Sequence, residues 1–271
     1  MPFPFSLLCN LLNKLDRDRA KKALKTSKAL SVNTQAVASW FSKNDQIIPR
    51  EGPEAVAFLS CLFPERRPDR VFNLQEKSLE SIIKRAQGLG ATRFKALRNW
   101  RTKDSTDFAS CVERVMSATD SEPRPCPSVT LEEIDETLDR IAATSPFSSI
   151  DLREMVAAKY AKPIRTHDAL SVIFRRLNSS EAKWMVRMLL KSYSPVQVPE
   201  ILAMRQFHFL LSDLLSFQKS FEAAVKLLSG PIVSRMPAHA TKDVESLLRQ
   251  IAVRRHANNK SIILINTDLN Q

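Results

Sequence analysis

Three cations spaced four residues apart form the part of this sequence best suited to binding a charged partner. Lys183, Arg187 and Lys191 lie in the segment 181–191, which also contains Trp184. On an α-helix of 3.6 residues per turn, residues four apart lie near one another, so the cations form one stripe. Such a stripe suits a surface that binds a polyanion. Taken alone, the pattern favours a core helix whose cations are merely solvated at its open edge.

Neighbouring residues extend this candidate site. Arg175 and Arg176 form a basic pair shortly before the stripe and are further candidate phosphate contacts. Trp184 falls on the apolar side of the predicted helix, together with Met185 and Met188. We therefore expect Trp184 to be a core anchor rather than a platform on which a base stacks.

Residue types used in catalysis are present but do not converge on a site. The histidines are scattered, without partners at the spacing of metal ligands: His167, His208, His239 and His256. His208 falls in a phenylalanine-rich segment and is expected to be a hydrogen-bonded structural residue. There is no G-x-S-x-G elbow, and Gly88 and Gly90 do not continue as G-x-G-x-x-G because residue 93 is arginine. We expect no catalytic residue, metal or cofactor site in this chain.

The composition independently favours a polyanionic partner. Lysine and arginine number 41 against 29 aspartate and glutamate residues, which gives a net charge of +12. Such a surplus favours nucleic acid or an anionic membrane. No apolar run approaches the roughly 20 residues that span a bilayer, and the start lacks the pattern of a secretory signal. Nucleic acid is therefore the expected partner. The cysteines lack metal-binding spacing and are expected to be reduced and mostly buried: Cys9, Cys61, Cys111 and Cys126.

Helical patterns dominate the chain and predict an all-α fold. Only four glycines occur, which disfavours turn-rich β folds. Three prolines between residues 121 and 129 indicate an extended connector. We therefore predict a two-lobed helical domain: a first lobe over 1–120, the connector over 121–129, a second lobe over 130–228, and a short irregular tail over 229–271.

Capping signals and periodicity place individual helices in the second lobe. Thr130 with Glu133, and Asn178 with Glu181, match the capping box that begins a helix. Apolar residues recur every three or four positions from 207 to 228, which predicts one long buried helix. The tail is expected to contain a last helix and a short strand: 244–253 and 261–266.

The segment from Glu181 to Tyr193 carries a resemblance to a known family. Its sequence E-A-K-W-M-V-R-M-L-L-K-S-Y resembles a helix of the N-terminal DNA-binding domain of eukaryotic ATP-dependent DNA ligases, where a K-W-L-x-R-x-I-x-K pattern occurs. The likeness spans about residues 4–228 and is nearest to the end-joining type of ligase. Other segments that agree in order and spacing are Pro4–Leu12, Leu62–Leu74, Thr106–Ala109 and Leu131–Ala143.

The resemblance implies an all-α, two-lobed domain that binds nicked duplex DNA or broken ends in DNA repair and recombination. Contacts would be made mostly to phosphates and in the minor groove, without sequence preference. It implies a nuclear location and repair proteins as further partners. Within this resemblance, the candidate DNA contacts are Lys183, Arg187, Lys191, Arg175 and Arg176.

Two departures from the family pattern bear on function. The stretch Ser192–Val196 replaces a Leu-Arg-x-Gly turn and contains neither arginine nor glycine. The Lys-x-Asp-Gly motif, whose lysine takes up the adenylyl group, does not occur in the sequence. We therefore expect DNA binding without nick sealing, so that ATP and Mg²⁺ matter only to a full ligase. Residues 229–271 stand where an adenylation domain would begin.

Two alternatives to a DNA-binding domain remain open at this stage. The altered turn at 192–196 is also consistent with a helical protein-interaction scaffold descended from the ligase domain. The other alternative is a truncated version of a full ATP-dependent DNA ligase.

Overall fold

The computed structural model describes residues 2–22, 29–102, 107–118, 120, 128–218 and 220–230. This part of the chain forms thirteen α-helices and no strand of a sheet, which confirms the predicted all-α fold. The helices are α1 Phe5–Lys22, α2 Ala29–Asn44, α3 Gly52–Leu62, α4 Glu76–Ala86, α5 Ala91–Leu97, α6 Phe108–Ser117, α7 Leu131–Ala142, α8 Ile150–Lys159, α9 Thr166–Arg176, α10 Ser179–Leu189, α11 Glu200–Phe207, α12 Leu211–Phe217 and α13 Phe221–Leu228. Short 3₁₀ turns follow α3 and α5, at Pro64–Arg66 and Arg98–Arg101.

Helices from both sides of the predicted connector pack together. Helix α10 contacts α6 and α1, α3 contacts α7 and α13, and α4 contacts α9. The apolar side chains of these helices form one continuous buried cluster. The start of the chain adds to this packing, because the backbone N–H of Phe5 donates to Val129 and that of Leu131 donates to Phe3, each at 2.9 Å. The division into lobes at 120 and 130 stays a prediction about the sequence.

The two predicted capping boxes differ in outcome. At α10 the box is complete: Asn178 Oδ1 accepts from the Glu181 N–H at 2.8 Å, and the Glu181 carboxylate accepts from the Asn178 N–H at 2.9 Å. At α7 only half of it forms. Thr130 Oγ1 accepts from the Glu133 N–H at 3.3 Å, but the Glu133 carboxylate pairs with Arg176 instead.

The single long helix predicted from 207 to 228 is wrong, because this stretch contains two breaks. His208 is extended, with φ −158° and ψ 133°, and separates α11 from α12. Ser220 is extended and begins α13, where its Oγ accepts from the Ala223 N–H at 3.1 Å. The short helices each bury an apolar face, so the apolar spacing continues across both breaks. The predicted elements at 244–253 and 261–266 lie outside the described residues.

His208 is a structural residue, as expected, although it lies at a break rather than within a helix. Its side chain is buried, and its Nδ1 accepts from the Leu210 N–H at 3.2 Å. The imidazole also stacks on Phe209, with 5.0 Å between ring centroids. The side chain therefore supports the sharp turn between α11 and α12.

Candidate nucleic-acid interface

Lys183 lies inside the protein rather than on an open ridge. Only 7% of its surface is exposed, and its Nζ lies 2.9 Å from carboxylate oxygens of both Asp16 and Glu113. Asp16 belongs to α1 and Glu113 to α6, the two helices against which α10 packs. Lys183 therefore joins three helices through its charge.

Arg187, one turn further along α10, is bound in the same way. It is 4% exposed, and its Nη2 lies 3.0 Å from Asp107 at the start of α6. A second guanidinium nitrogen, Nε, donates to the same carboxylate at 3.2 Å. The expectation of an exposed basic stripe is thus wrong for Lys183 and Arg187, because close packing of α10 buries both. That they touch DNA stays a prediction, which their burial does not support.

Trp184 is the core anchor that the sequence predicts. Its indole is fully buried, and its Nε1 donates to Asn13 Oδ1 on α1 at 2.8 Å. The Arg187 guanidinium carbon lies 4.8 Å and the Lys183 Nζ 5.1 Å from the ring centroid. Both cations therefore lie over the tryptophan, which stabilises their charge away from water.

Lys191 lies beyond the end of α10, because the helix ends at Leu189. Its backbone is left-handed, with φ +54°. The Lys191 N–H donates to Met188 and the Ser192 N–H donates to Arg187, each at 2.9 Å, which closes the helix end as a Schellman motif. The side chain is partly buried and its Nζ donates to the backbone carbonyl of Arg67. Lys191 therefore links the end of α10 to the turn after α3.

Arg175 and Arg176 at the end of α9 differ in their surroundings. Arg175 is exposed, whereas Arg176 is partly buried and pairs with Glu133 on α7. Of the five predicted phosphate contacts, Arg175 is the one whose side chain is exposed. A DNA-contact role for either arginine stays a prediction.

The turn at 192–196 presents a neutral surface. Tyr193 is buried and its hydroxyl donates to the backbone carbonyl of Cys61 in α3, which anchors the turn in the core. Burial raises the pKa of the Tyr193 phenol well above its usual range. Ser192, Ser194 and Pro195 are the exposed residues of this turn. The turn therefore offers hydroxyl groups rather than cations to a partner.

An open groove beside α4 and α5 provides the cationic surface that α10 does not. The groove has a volume of about 650 Å³. Four cations and no carboxylate are found among its lining residues: Lys84, Leu89, Ala91, Phe94, Lys95, Arg98, Asn99 and Arg101. We call this feature the Phe94 groove.

Phe94 lies at the centre of the cations in this groove. The Lys84 Nζ is 4.5 Å and the Arg98 guanidinium carbon 5.3 Å from the Phe94 ring centroid. These distances are typical of cation–π contacts. They hold a lysine from α4 and an arginine from the 3₁₀ turn beside one aromatic side chain from α5.

A buried glutamate contacts two of the arginines that line the Phe94 groove. Glu80 on α4 is 3% exposed, and its carboxylate accepts hydrogen bonds from Trp100 Nε1 at 2.6 Å and from Arg101 Nη2 at 2.6 Å. Arg98 lies further from the same carboxylate, with Nε 3.6 Å away, and 47% of its side chain is exposed. Glu80 therefore holds Arg101 tightly and leaves much of Arg98 facing solvent.

Sequence reasoning from helical spacing missed the Phe94 groove, although a signal was present. Residues 84–101 contain six lysines and arginines and no aspartate or glutamate. These cations come from α4, α5 and a 3₁₀ turn, so they do not follow the period of any one helix. A count of charge along the chain finds them, whereas a search for a single-helix stripe does not.

Further observations concern the thiols, possible metal ligands and helix lengths in the described part of the chain. Cys9, Cys61 and Cys111 are buried free thiols, as predicted, and Cys126 lies outside the described residues. The described side chains contain no cluster of His, Cys, Asp or Glu that could hold a metal ion. None of the described helices combines the length and apolar character that a membrane crossing requires.

Comparison with known families gives a direct result for most of the chain. Residues 4–195 match the family described as DNA ligase N terminus. No curated protein matches the chain. The matched region contains α1 to α10, and so includes the Phe94 groove, the capping box of α10 and the ion-paired cations of that helix. Because the match covers more than half of its length, the chain belongs to the family of N-terminal domains of ATP-dependent DNA ligases.

Proposed function

We propose that this chain binds duplex DNA without sequence preference, as the DNA-binding domain of an ATP-dependent DNA ligase family protein. The observation that carries the proposal is the Phe94 groove, where Lys84, Lys95 and Arg98 are exposed and no lining residue is acidic. Membership of the ligase family supports DNA as the polyanion. The expected partners are nicked duplexes or broken ends in DNA repair and recombination, within the nucleus.

The charge arrangement favours contacts to phosphates over contacts to bases. Lys84 and Lys95 are exposed on α4 and α5, and the exposed part of Arg98 lines the same groove. Cations that neutralise phosphates release counterions from DNA, and this contribution to affinity does not depend on the base sequence. Affinity should therefore fall steeply with salt, while base composition should have little effect.

A salt titration of the wild-type chain tests this proposal. Fluorescence anisotropy with a nicked duplex, an intact duplex of the same sequence and a scrambled duplex would give three affinities at each salt concentration. We expect similar affinities for the intact and scrambled duplexes. The logarithm of the binding constant should fall by about 0.9 per phosphate contact for each tenfold rise in salt concentration. If no duplex is retained at low salt, the chain is not a DNA-binding domain.

The proposed binding needs neither ATP nor Mg²⁺, because it relies on protein cations alone. Adding EDTA or ATP should leave the affinity for duplex unchanged once ionic strength is matched. We also propose that the chain alone does not join nicks. Incubation of a nicked duplex with the chain, ATP and Mg²⁺, followed by a denaturing gel, should show no sealed strand; a sealed product would overturn that part of the proposal.

A second candidate function, a protein-interaction scaffold, is favoured by three exposed apolar side chains at and just before α8. Phe147, Ile150 and Met155 lie on or just before α8 and are 76%, 62% and 53% exposed. Exposed apolar side chains mark a protein interface where they form a contiguous patch. Replacing all three with serine should leave duplex affinity unchanged if DNA binding is carried by the groove. If the wild-type chain binds no duplex, and the triple serine variant binds a repair protein with altered affinity, the scaffold function is favoured.

A further inference from the structure

We propose that the Phe94 groove binds an unpaired strand at a DNA end, with a base stacked on the Phe94 ring and its phosphates on the flanking cations. This inference rests on the proposed function and names the kind of DNA that the groove would take. It goes beyond duplex binding, because paired phosphates alone need no aromatic side chain.

Part of the Phe94 groove is apolar, and a phosphate backbone would make no favourable contact with that part. Leu89, Ala91 and Phe94 line it, and Phe94 is partly exposed although it also packs against the core. Inside a duplex the faces of the bases are stacked on one another and are not available to a protein side chain. At an overhang or a gap a base face is free, and proteins that bind single strands stack such bases on aromatic side chains.

Two cations lie over the Phe94 ring, so a base that stacks there would displace their side chains towards its own phosphates. Lys84 Nζ lies 4.5 Å and the Arg98 guanidinium carbon 5.3 Å from the ring centroid, and Lys95 lines the same groove. A positively charged groove combined with an aromatic side chain is the arrangement that single-strand binding requires. The volume of about 650 Å³ falls within the range of ligand sites and can admit a nucleotide.

The turn between α4 and α5 leaves room for a strand to approach. Gly88 has φ +56°, a left-handed conformation that glycine adopts without strain. A β-carbon added at Gly88 or at Gly90 would meet no atom within 4 Å. The backbone of this turn is therefore open at the edge of the groove.

Two other aromatic side chains are held by contacts within the fold. The Trp100 Nε1 donates to Glu80, and its ring packs edge-on against Phe108 with 5.6 Å between centroids. Trp184 is fully buried in the core. Phe94 differs from them because the side chains over its ring are those of Lys84 and Arg98, which are exposed and can move aside. The geometry therefore points to Phe94 as the stacking residue.

The test compares two overhangs of equal charge. One probe is a duplex with a short single-stranded oligothymidine overhang, and the other has the same overhang built from abasic units. We expect the wild-type chain to bind the thymidine probe about tenfold more tightly, which is the scale of one base–aromatic stack. Equal affinities would overturn the inference, and this comparison needs no variant.

Substitutions then locate the effect. F94L should remove the preference for thymidine over abasic units, while F94Y, which keeps the ring, should retain it. The matched control is F72L, another partly buried phenylalanine beneath a lysine, with Lys191 Nζ 5.6 Å from its ring; it should also retain the preference. Thermal unfolding would show that each variant is folded. A preference that persists in folded F94L would overturn the assignment.

Two further outcomes separate this inference from the proposed function. Binding of blunt duplex together with equal affinities for both overhangs would leave the proposed function standing and overturn the inference. Absence of binding to every probe at low salt would contradict both. If an equal concentration of thymidine monophosphate displaces the thymidine overhang, the groove binds free nucleotides as well as strands. That result would contradict the proposal that an unpaired strand is its ligand.

Discussion

At the scale of single residues, the cations of α10 illustrate how burial changes the role of a charge. Lys183 lies 2.9 Å from two carboxylates, and Arg187 pairs with Asp107 at 3.0 Å. A buried charge is costly unless it is paired, and removing one partner leaves the others uncompensated. We therefore assign Lys183 and Arg187 to the stability of the fold.

Replacing Lys183 with methionine tests that assignment. K183M removes the cation that Asp16 and Glu113 share, so we expect the free energy of unfolding to fall by about 2 kcal/mol. Urea unfolding would measure it. The control K14M removes an exposed lysine from α1 and should change stability by less than about 0.5 kcal/mol. A stable K183M chain that has lost duplex affinity would contradict the structural role.

The same ion pair predicts a pH dependence. Burial raises the pKa of Asp16, but the hydrogen bond and charge of Lys183, together with Arg19, outweigh it and hold the pKa below its usual value. A depressed carboxyl pKa contributes stability that is present above the unfolded pKa, near 4, and is lost as pH falls through the folded pKa. As the pH falls below about 4, the free energy of unfolding should therefore decrease more steeply in wild type than in K183M. Parallel pH profiles would contradict this coupling.

Two buried thiols give a chemical test of the core. Burial, the largest cause, raises the pKa of Cys9 and Cys61 well above the usual value. Since the thiolate is the reactive form, both should resist alkylation in the native chain at pH 8 and react after unfolding. Mass spectrometry of alkylated peptides would follow each site separately. Rapid native labelling of Cys9 or Cys61 would show that the core is less closed than described.

Local spacing predicted which residues share a stripe but not what covers them. The carboxylate of Asp16 lies 167 positions from Lys183 in the sequence, and that of Asp107 lies 80 positions from Arg187. Such partners are brought together only by tertiary packing, so the stripe looked exposed. The identity of Trp184 as a core anchor was predictable, because it depends on the apolar side of its own helix.

At the scale of elements, the breaks between α11, α12 and α13 show what periodicity leaves undetermined. Apolar spacing indicates which residues face the core, and it continues unchanged when each short helix buries its own face. Capping is the more local signal. The box at Asn178 and Glu181 was predictable from two residue types three positions apart, whereas the cap at Ser220 was hidden within a strong apolar repeat.

Replacing Ser220 with alanine distinguishes a helix start from the interior of a long helix. As the N-cap of α13, Ser220 accepts a hydrogen bond from Ala223, so S220A should lower the free energy of unfolding by about 1 kcal/mol. Within a continuous helix the same change would raise stability by a few tenths, about 0.5 kcal/mol at most. The control S216A lies inside α12 and should be near neutral. Chemical unfolding of both variants gives the sign of the change in the free energy of unfolding. A stabilised S220A would contradict a helix start at Ser220.

At the scale of the whole molecule, packing and charge divide the cations into two classes. Helices on both sides of the predicted connector share one core, and the cations of α10 are neutralised inside it. The Phe94 groove keeps its cations at an open surface. The all-α fold and its ligase family were predictable from the sequence, because they depend on helical patterns and on a local motif. The groove was not predicted, because three separate elements build it.

The central claim is that the Phe94 groove, and not the stripe on α10, binds duplex DNA. The direct measurement is duplex affinity across a range of salt for two variants that each lose three exposed or partly exposed cations: K84Q/K95Q/R98Q in the groove and K14Q/K43Q/K226Q elsewhere. We expect the groove variant to lose more than about tenfold in affinity and to have a salt slope shallower by about 2 to 3, while the control changes little. Equal losses in the two variants, or full affinity in the groove variant, would contradict the claim.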